Sequence, residues 1–383
     1  MKLDSLLLTT LLLAQVFAGS AIAAQMSVFF APSVADPAIT QFNDPNYAVV
    51  DPAVTNRGLL VLFLPGTGAT PSQYCLFPQD AASLGFHALG LMYPNTNAIN
   101  ILCAQNAPLD PNAAGNARLD VIKGTNIVSW LSVDSTNCIQ NRLLKALQYL
   151  NTTYPTQGWG QYYSGSTVLW SKLIVSGHSQ GGGMAAMLAK TNVTDRCIVF
   201  SDMDWWAVGN KPYKWMFTTP QTPVNNWYLF AHERDELLNF TNMQTGAAAL
   251  DVSRYGAYVQ VETSTSASYG GRHFLATNLD PSSTNQPNPF HRCTVVDSAT
   301  PMQADGVTPV FKPVWDYLLL HDTAPITIES ASGNISVIFS PGTLEQSDDL
   351  MHWTNTPAAT NSPLTLPLGT LPSRRFYRLQ TTP

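Results

Sequence analysis

The residues with the clearest chemical meaning are Gly177-His178-Ser179-Gln180-Gly181. A serine hydroxyl is a weak nucleophile until it is held in the open beside a base. A tight turn between the apolar run 173–176 and the helix-forming run 180–190 would hold Ser179 that way. Its flanking glycines tolerate a strained backbone. The same turn sets the Gln180 N–H at a helix start, where a developing oxyanion is stabilised. A second oxyanion donor is expected from Leu64-Pro65-Gly66-Thr67-Gly68, with the Thr67 amide first and Gly68 next. No Gly-Lys-Ser/Thr follows, so this is not a phosphate loop.

A serine nucleophile needs a base and an orienting acid, here in the order Ser, Asp, His. Asp235 comes directly after the apolar run 227–231, with Glu236 as the nearest substitute; Asp202 and Asp204 offer a less favoured position. Two histidines, His273 and His291, compete for the base, and position hardly separates them. His178 is expected to pack beside the nucleophile and His232 to belong to the acid loop. His87 and His352 are expected to pack or face solvent. Trp205 and Trp206 are read as pocket walls, against core packing as the commoner fate of tryptophan. No Cys/His set has zinc spacing, and no metal or cofactor is implied.

These residues need a framework. Short apolar runs at 59–64, 87–92, 173–176, 197–201, 227–231 and 257–262 alternate with helical patterns. That alternation predicts an α/β fold: a mostly parallel sheet flanked by helices. The continuous run 59–64 suits a strand buried on both faces. Ile139, Leu143, Leu144, Leu147 and Leu150 recur at helical spacing before Pro155, and 311–320 reads as a last helix. After His321 the chain changes to short alternating segments split by Gly, Pro, Asn and Ser. Residues 323–383 are therefore expected to be a small all-β module, with 24–322 as the main domain.

Only 11% of the 383 residues are charged and the formal net charge is −6. With no Lys/Arg-rich run, nucleic acid is a poor partner. Lys2, an apolar run over 6–17 and Ala21-Ile22-Ala23 read as a signal peptide over 1–23, which implies a secreted, periplasmic or cell-surface protein. No later run is long enough to span a membrane. Five cysteines in an exported chain suggest one or two disulfides, with Cys103–Cys138 the preferred pair.

With Ser179, Thr67, Asp235 and a late histidine in order, the chain from about Val28 to His321 resembles the α/β-hydrolase superfamily. More narrowly it resembles a group of exported bacterial proteins of that fold. The similarity is carried by Phe63-Leu64-Pro65-Gly66-Thr67-Gly68-Ala69-Thr70-Pro71, by Gly90-Leu91-Met92-Tyr93-Pro94-Asn95 and by the serine turn. The stretch from His291 through Val295-Val296-Asp297 to Pro313-Val314-Trp315 completes it. The resemblance implies a carboxylic-ester hydrolase acting on an ester-containing small molecule or polymer, with His291 rather than His273 as base. The tail, through residues 344–353 and 375–379, resembles a small β module of exported bacterial proteins, implying attachment or a structural cap. The alternative is a catalytically inactive hydrolase-fold scaffold used for surface binding.

Overall fold

The computed structural model describes residues 25–264, 268–320, 326–331, 333–339, 343–349, 351–356, 364–372 and 374–380. The expected signal segment 1–23 and the junction at 321–325 lie outside the described residues.

Nine strands form the central sheet: β1 Met26–Phe30, β2 Asn46–Val50, β3 Leu60–Leu64, β4 His87–Gly90, β5 Leu173–His178, β6 Arg196–Phe200, β7 Trp227–His232, β8 Val259–Gln260 and β9 Phe274–Thr277. Their order is β1-β2-β4-β3-β5-β6-β7-β9-β8. Every pair is parallel except β1–β2 and β2–β4, so β2 alone runs against the rest. The fold is thus α/β with a mostly parallel sheet, as expected.

The inner strands are buried along their length. In β3, Leu60, Leu62 and Leu64 join one apolar cluster while Val61 and Phe63 join another. Successive side chains of a strand point to opposite faces, so a continuous apolar run needs cover on both. Helices α1 Leu76–Ser83 and α8 Lys312–Leu320 supply it on one face through Phe77, Ala81, Trp315 and Leu318. On the other face lie α3 Ala113–Lys123, α4 Ile139–Thr153 and α5 Gln180–Thr191, through Val121, Leu143, Leu147 and Met184. Between β4 and α3 comes the shorter α2, Ile99–Asn106. Later in the chain lie α6 Phe240–Ala249 and the four-residue α7 Pro289–Arg292.

The C-terminal part holds two three-stranded antiparallel sheets. They carry a small apolar cluster of Val337, Leu344 and Leu364. Among the described residues no helix is long and apolar enough to cross a membrane.

Two expectations are corrected. The run 257–262 forms only the two-residue β8, and the inner strand beyond β7 is β9, which the sequence reading passed over. All five cysteines are free, so the Cys103–Cys138 bridge does not form. Both thiols are buried in the core, and Cys138 Sγ donates to the Ser135 carbonyl at 3.2 Å.

Candidate active site

The carboxyl ends of β3, β5 and β7 meet at one rim of the sheet. There the loops that follow them line a cavity of about 530 Å³ with Thr67, His178, Ser179, Gln180, Leu238 and His291 in its wall. This is where ligands enter parallel α/β sheets.

Ser179 caps α5 with φ 52° and ψ −129°, a conformation that costs a non-glycine residue about 1–3 kcal/mol. The turn is held by its neighbours. A Cβ at Gly177 would stand 2.4 Å from the Gly181 carbonyl, and one at Gly181 only 2.0 Å from the Leu64 carbonyl oxygen. Any side chain at either position would push the elbow off β3. Ser179 itself stays half-buried, and its amide donates to the Phe200 carbonyl at 2.9 Å. Gly66 packs beside it: a Cβ there would lie 3.3 Å from Ser179 Cβ.

Gln180 ties three elements to the elbow. Its Oε1 accepts from Thr67 Oγ1 at 3.1 Å and from the Ile99 amide at 3.0 Å; its backbone carbonyl accepts from Arg118 Nη1 at 2.9 Å. In the 66–69 loop the Gly66, Gly68 and Ala69 amides are all engaged, by Tyr74 Oη, Asn95 O and Gly66 O. The amide of Thr67, in a residue exposed at the cavity mouth, has no acceptor among the described residues.

His291 and Asp235 meet. His291 Nδ1–H donates to Asp235 Oδ2 at 2.7 Å, and the acid's side chain has no exposed surface. Asp235 Oδ1 accepts from the amides of Leu237 and Leu238, both at 2.8 Å. The carboxylate of Glu236 takes the Phe290 and His291 amides at 3.1 and 2.8 Å. Adjacent acids thus fix the ring and the backbone of one histidine. The other ring nitrogen, His291 Nε2, is closed to solvent and has no hydrogen-bond partner among the described residues.

His178 lies beneath, its ring centroid 4.8 Å from that of His291. Nε2–H donates to the His291 carbonyl at 2.9 Å, and Nδ1 accepts from Tyr74 Oη at 3.0 Å. Burial, then the neighbouring His291 charge, hold its pKa well below the usual histidine range, so the ring is neutral. Tyr74, which sequence reasoning missed, links this ring to Gly66. A lone tyrosine 104 residues from its partner leaves no local signal.

His273 is elsewhere. It precedes β9 at the amino ends of the strands, where Nδ1–H donates to the Trp227 carbonyl at 2.9 Å. Its ring stacks on Tyr255 and Tyr228 at 3.8 and 4.3 Å. The five steps from Trp227 to His232 alone span about 16 Å, and His273 is outside the cavity wall.

Trp205 and Trp206 are also outside that wall. They pair with Lys211–Pro212 in a hairpin, and Trp206 Nε1 donates to the Pro108 carbonyl at 2.9 Å. Asp204 receives a bidentate pair from buried Arg118, both bonds at 2.6 Å, while Asp202 lies in the cavity wall. His232 is buried, with Nε2–H on the Leu279 carbonyl at 2.7 Å. His87 packs on Trp159 at 4.6 Å, and His352 is exposed beside Asp349. No group of His, Cys, Asp and Glu suited to a metal ion exists among the described residues.

No family model matches the sequence, and a search of curated proteins finds no match.

Proposed function

We propose that the protein is a serine hydrolase that cleaves carboxylic esters through an acyl-enzyme on Ser179, on an α/β-hydrolase framework. One observation carries this: a histidine held by a buried carboxylate lines the same cavity as a serine on a strained strand-to-helix turn. The strand order, with only β2 reversed, and the placement of Ser179, Asp235 and His291 after β5, β7 and β9 support it.

His291 Nε2 takes the Ser179 proton as Oγ attacks the ester carbonyl. Asp235 keeps the second proton on Nδ1 and stabilises the imidazolium. The Thr67 and Gln180 amides hold the oxyanion; losing one such donor typically costs about 10²–10³ in rate. The imidazolium then protonates the departing alcohol. Water, deprotonated by His291, attacks the acyl-enzyme and releases the acid. Export through residues 1–23 belongs to the same proposal, as does an attachment role for the tail.

Fluorophosphonate labelling tests it. The expected result is one phosphonyl group on Ser179 and none on Ser179→Ala. A folded protein that takes no label supports the binding-scaffold alternative instead.

A further inference from the structure

We infer that Asp202 is the recognition end of the cavity and takes a hydroxyl group of the ester substrate, an inference that rests on the ester-hydrolase reading above. Asp202 follows β6 and packs over the first turn of α5: a Cβ at Gly182 would stand 3.0 Å from Asp202 Cβ. It therefore sits within one helical turn of Ser179. Its side chain is 8% exposed, and it lines the cavity.

The carboxyl is poorly served by the protein. Arg118 Nη2 is 3.6 Å away, beyond hydrogen-bond range. That guanidinium is committed elsewhere, to both oxygens of Asp204 and to the Gln180 carbonyl. The adjacent Met203 amide donates to Asp202. The carboxyl keeps hydrogen-bonding capacity that Arg118 and the Met203 amide leave unused. Burying a polar group short of partners is costly, and a bound ligand removes that cost.

A hydroxyl fits better than a cation. Arg118 and Arg292 both line the same cavity as Asp202, so an ammonium would meet like charge. Burial pushes the Asp202 carboxyl up to about 8 against the pull of Arg118, which leaves mostly the neutral acid at pH 7. A neutral acid gains little from a cation, whereas a hydroxyl can donate to or accept from either form. Ile99, Ile101, Leu237, Leu238 and Pro287 give the cavity apolar surface beside the polar Gln73, Asn100 and Asn288. The substrate class is an aliphatic ester bearing a hydroxyl on its acyl or alcohol part.

The test compares ethyl butyrate with ethyl 3-hydroxybutyrate and with 2-hydroxyethyl butyrate, measured by pH-stat. One hydroxylated ester should exceed ethyl butyrate in kcat/KM by roughly tenfold or more. Asp202→Leu should bring that ratio near one, and Asp202→Asn, which can still donate and accept, should keep most of it. Should the leucine variant fail to fold, Asp202→Ala should also collapse the ratio. Cleavage of all three esters at equal rates overturns the inference and leaves ester hydrolysis standing. A preference that survives Asp202→Leu or Asp202→Ala also overturns it. Absence of both turnover and fluorophosphonate labelling overturns the hydrolase reading and this inference together.

Discussion

Replacing Asp235 by asparagine tests the acid-base pair without emptying its site. The carboxylate makes three bonds: Oδ2 to His291 Nδ1–H, and Oδ1 to the Leu237 and Leu238 amides. A carboxamide has one acceptor and one donor group, so it must choose. If its NH2 faced the two amides, the exposed Leu237 and half-buried Leu238 donors would both lose their partner, a cost of about 1–2 kcal/mol. The favoured orientation keeps the carbonyl on those amides and turns the NH2 toward His291. Nδ1 must then accept, which moves the ring proton to Nε2, the nitrogen that receives the Ser179 proton in the proposed mechanism. The geometry survives while the tautomer is wrong, a situation expected to cost about 10⁴ in kcat, or roughly 5.5 kcal/mol. The assay is kcat on p-nitrophenyl butyrate together with the rate of fluorophosphonate labelling, with thermal unfolding as the control. An Asp235→Asn variant that folds normally yet keeps more than a tenth of either rate would refute Asp235 as the orienting acid.

His291→Ala should abolish labelling. His273→Ala, which loses a stack between two tyrosines at the opposite rim, should lower stability by about 1–3 kcal/mol and leave the labelling rate near wild type; the reverse pattern would exchange their roles. Gly181→Ala places a methyl 2.0 Å from the Leu64 carbonyl, so the variant should lose several kcal/mol or fail to fold, read by chemical denaturation. The Asp202 carboxyl, raised from 3.8 to about 8 by burial with Arg118, Asp204 and Asp235 around it, favours folding most when protonated. Its contribution is full below pH 4 and is lost as pH rises toward 8. Asp202→Asn should remove that slope, so its melting temperature relative to wild type should climb from pH 5 to pH 8; a constant difference would contradict the assignment.

What was legible in the sequence was whatever depends on neighbours along the chain. The serine turn is readable because backbone crowding at Gly177 and Gly181 excludes every other residue type there. Asp235 is readable because it directly follows a six-residue buried strand. The central run 60–64 announces itself by filling both faces of the sheet. His291 and His273 were not separable from their own surroundings in sequence. The four-residue β9, which puts His273 at the wrong end of the strands, was too short to stand out, and the resemblance made the choice. The edge strand β1 and its neighbour β2 were also missed. Tyr74 and Arg118 act through partners many tens of residues away, which no local pattern reveals. Trp205 and Trp206 invited a pocket reading, yet the hairpin carrying them is anchored to the Pro108 carbonyl.

One ring, His178, touches the 289–292 segment through the His291 carbonyl and the 66–69 loop through Tyr74, while its own backbone adjoins Ser179. The three segments are therefore bolted together like legs under a single plate. Warming should not dismantle them one at a time: reactivity of the serine should vanish in the same narrow interval as the fold around it, with no half-competent form in between.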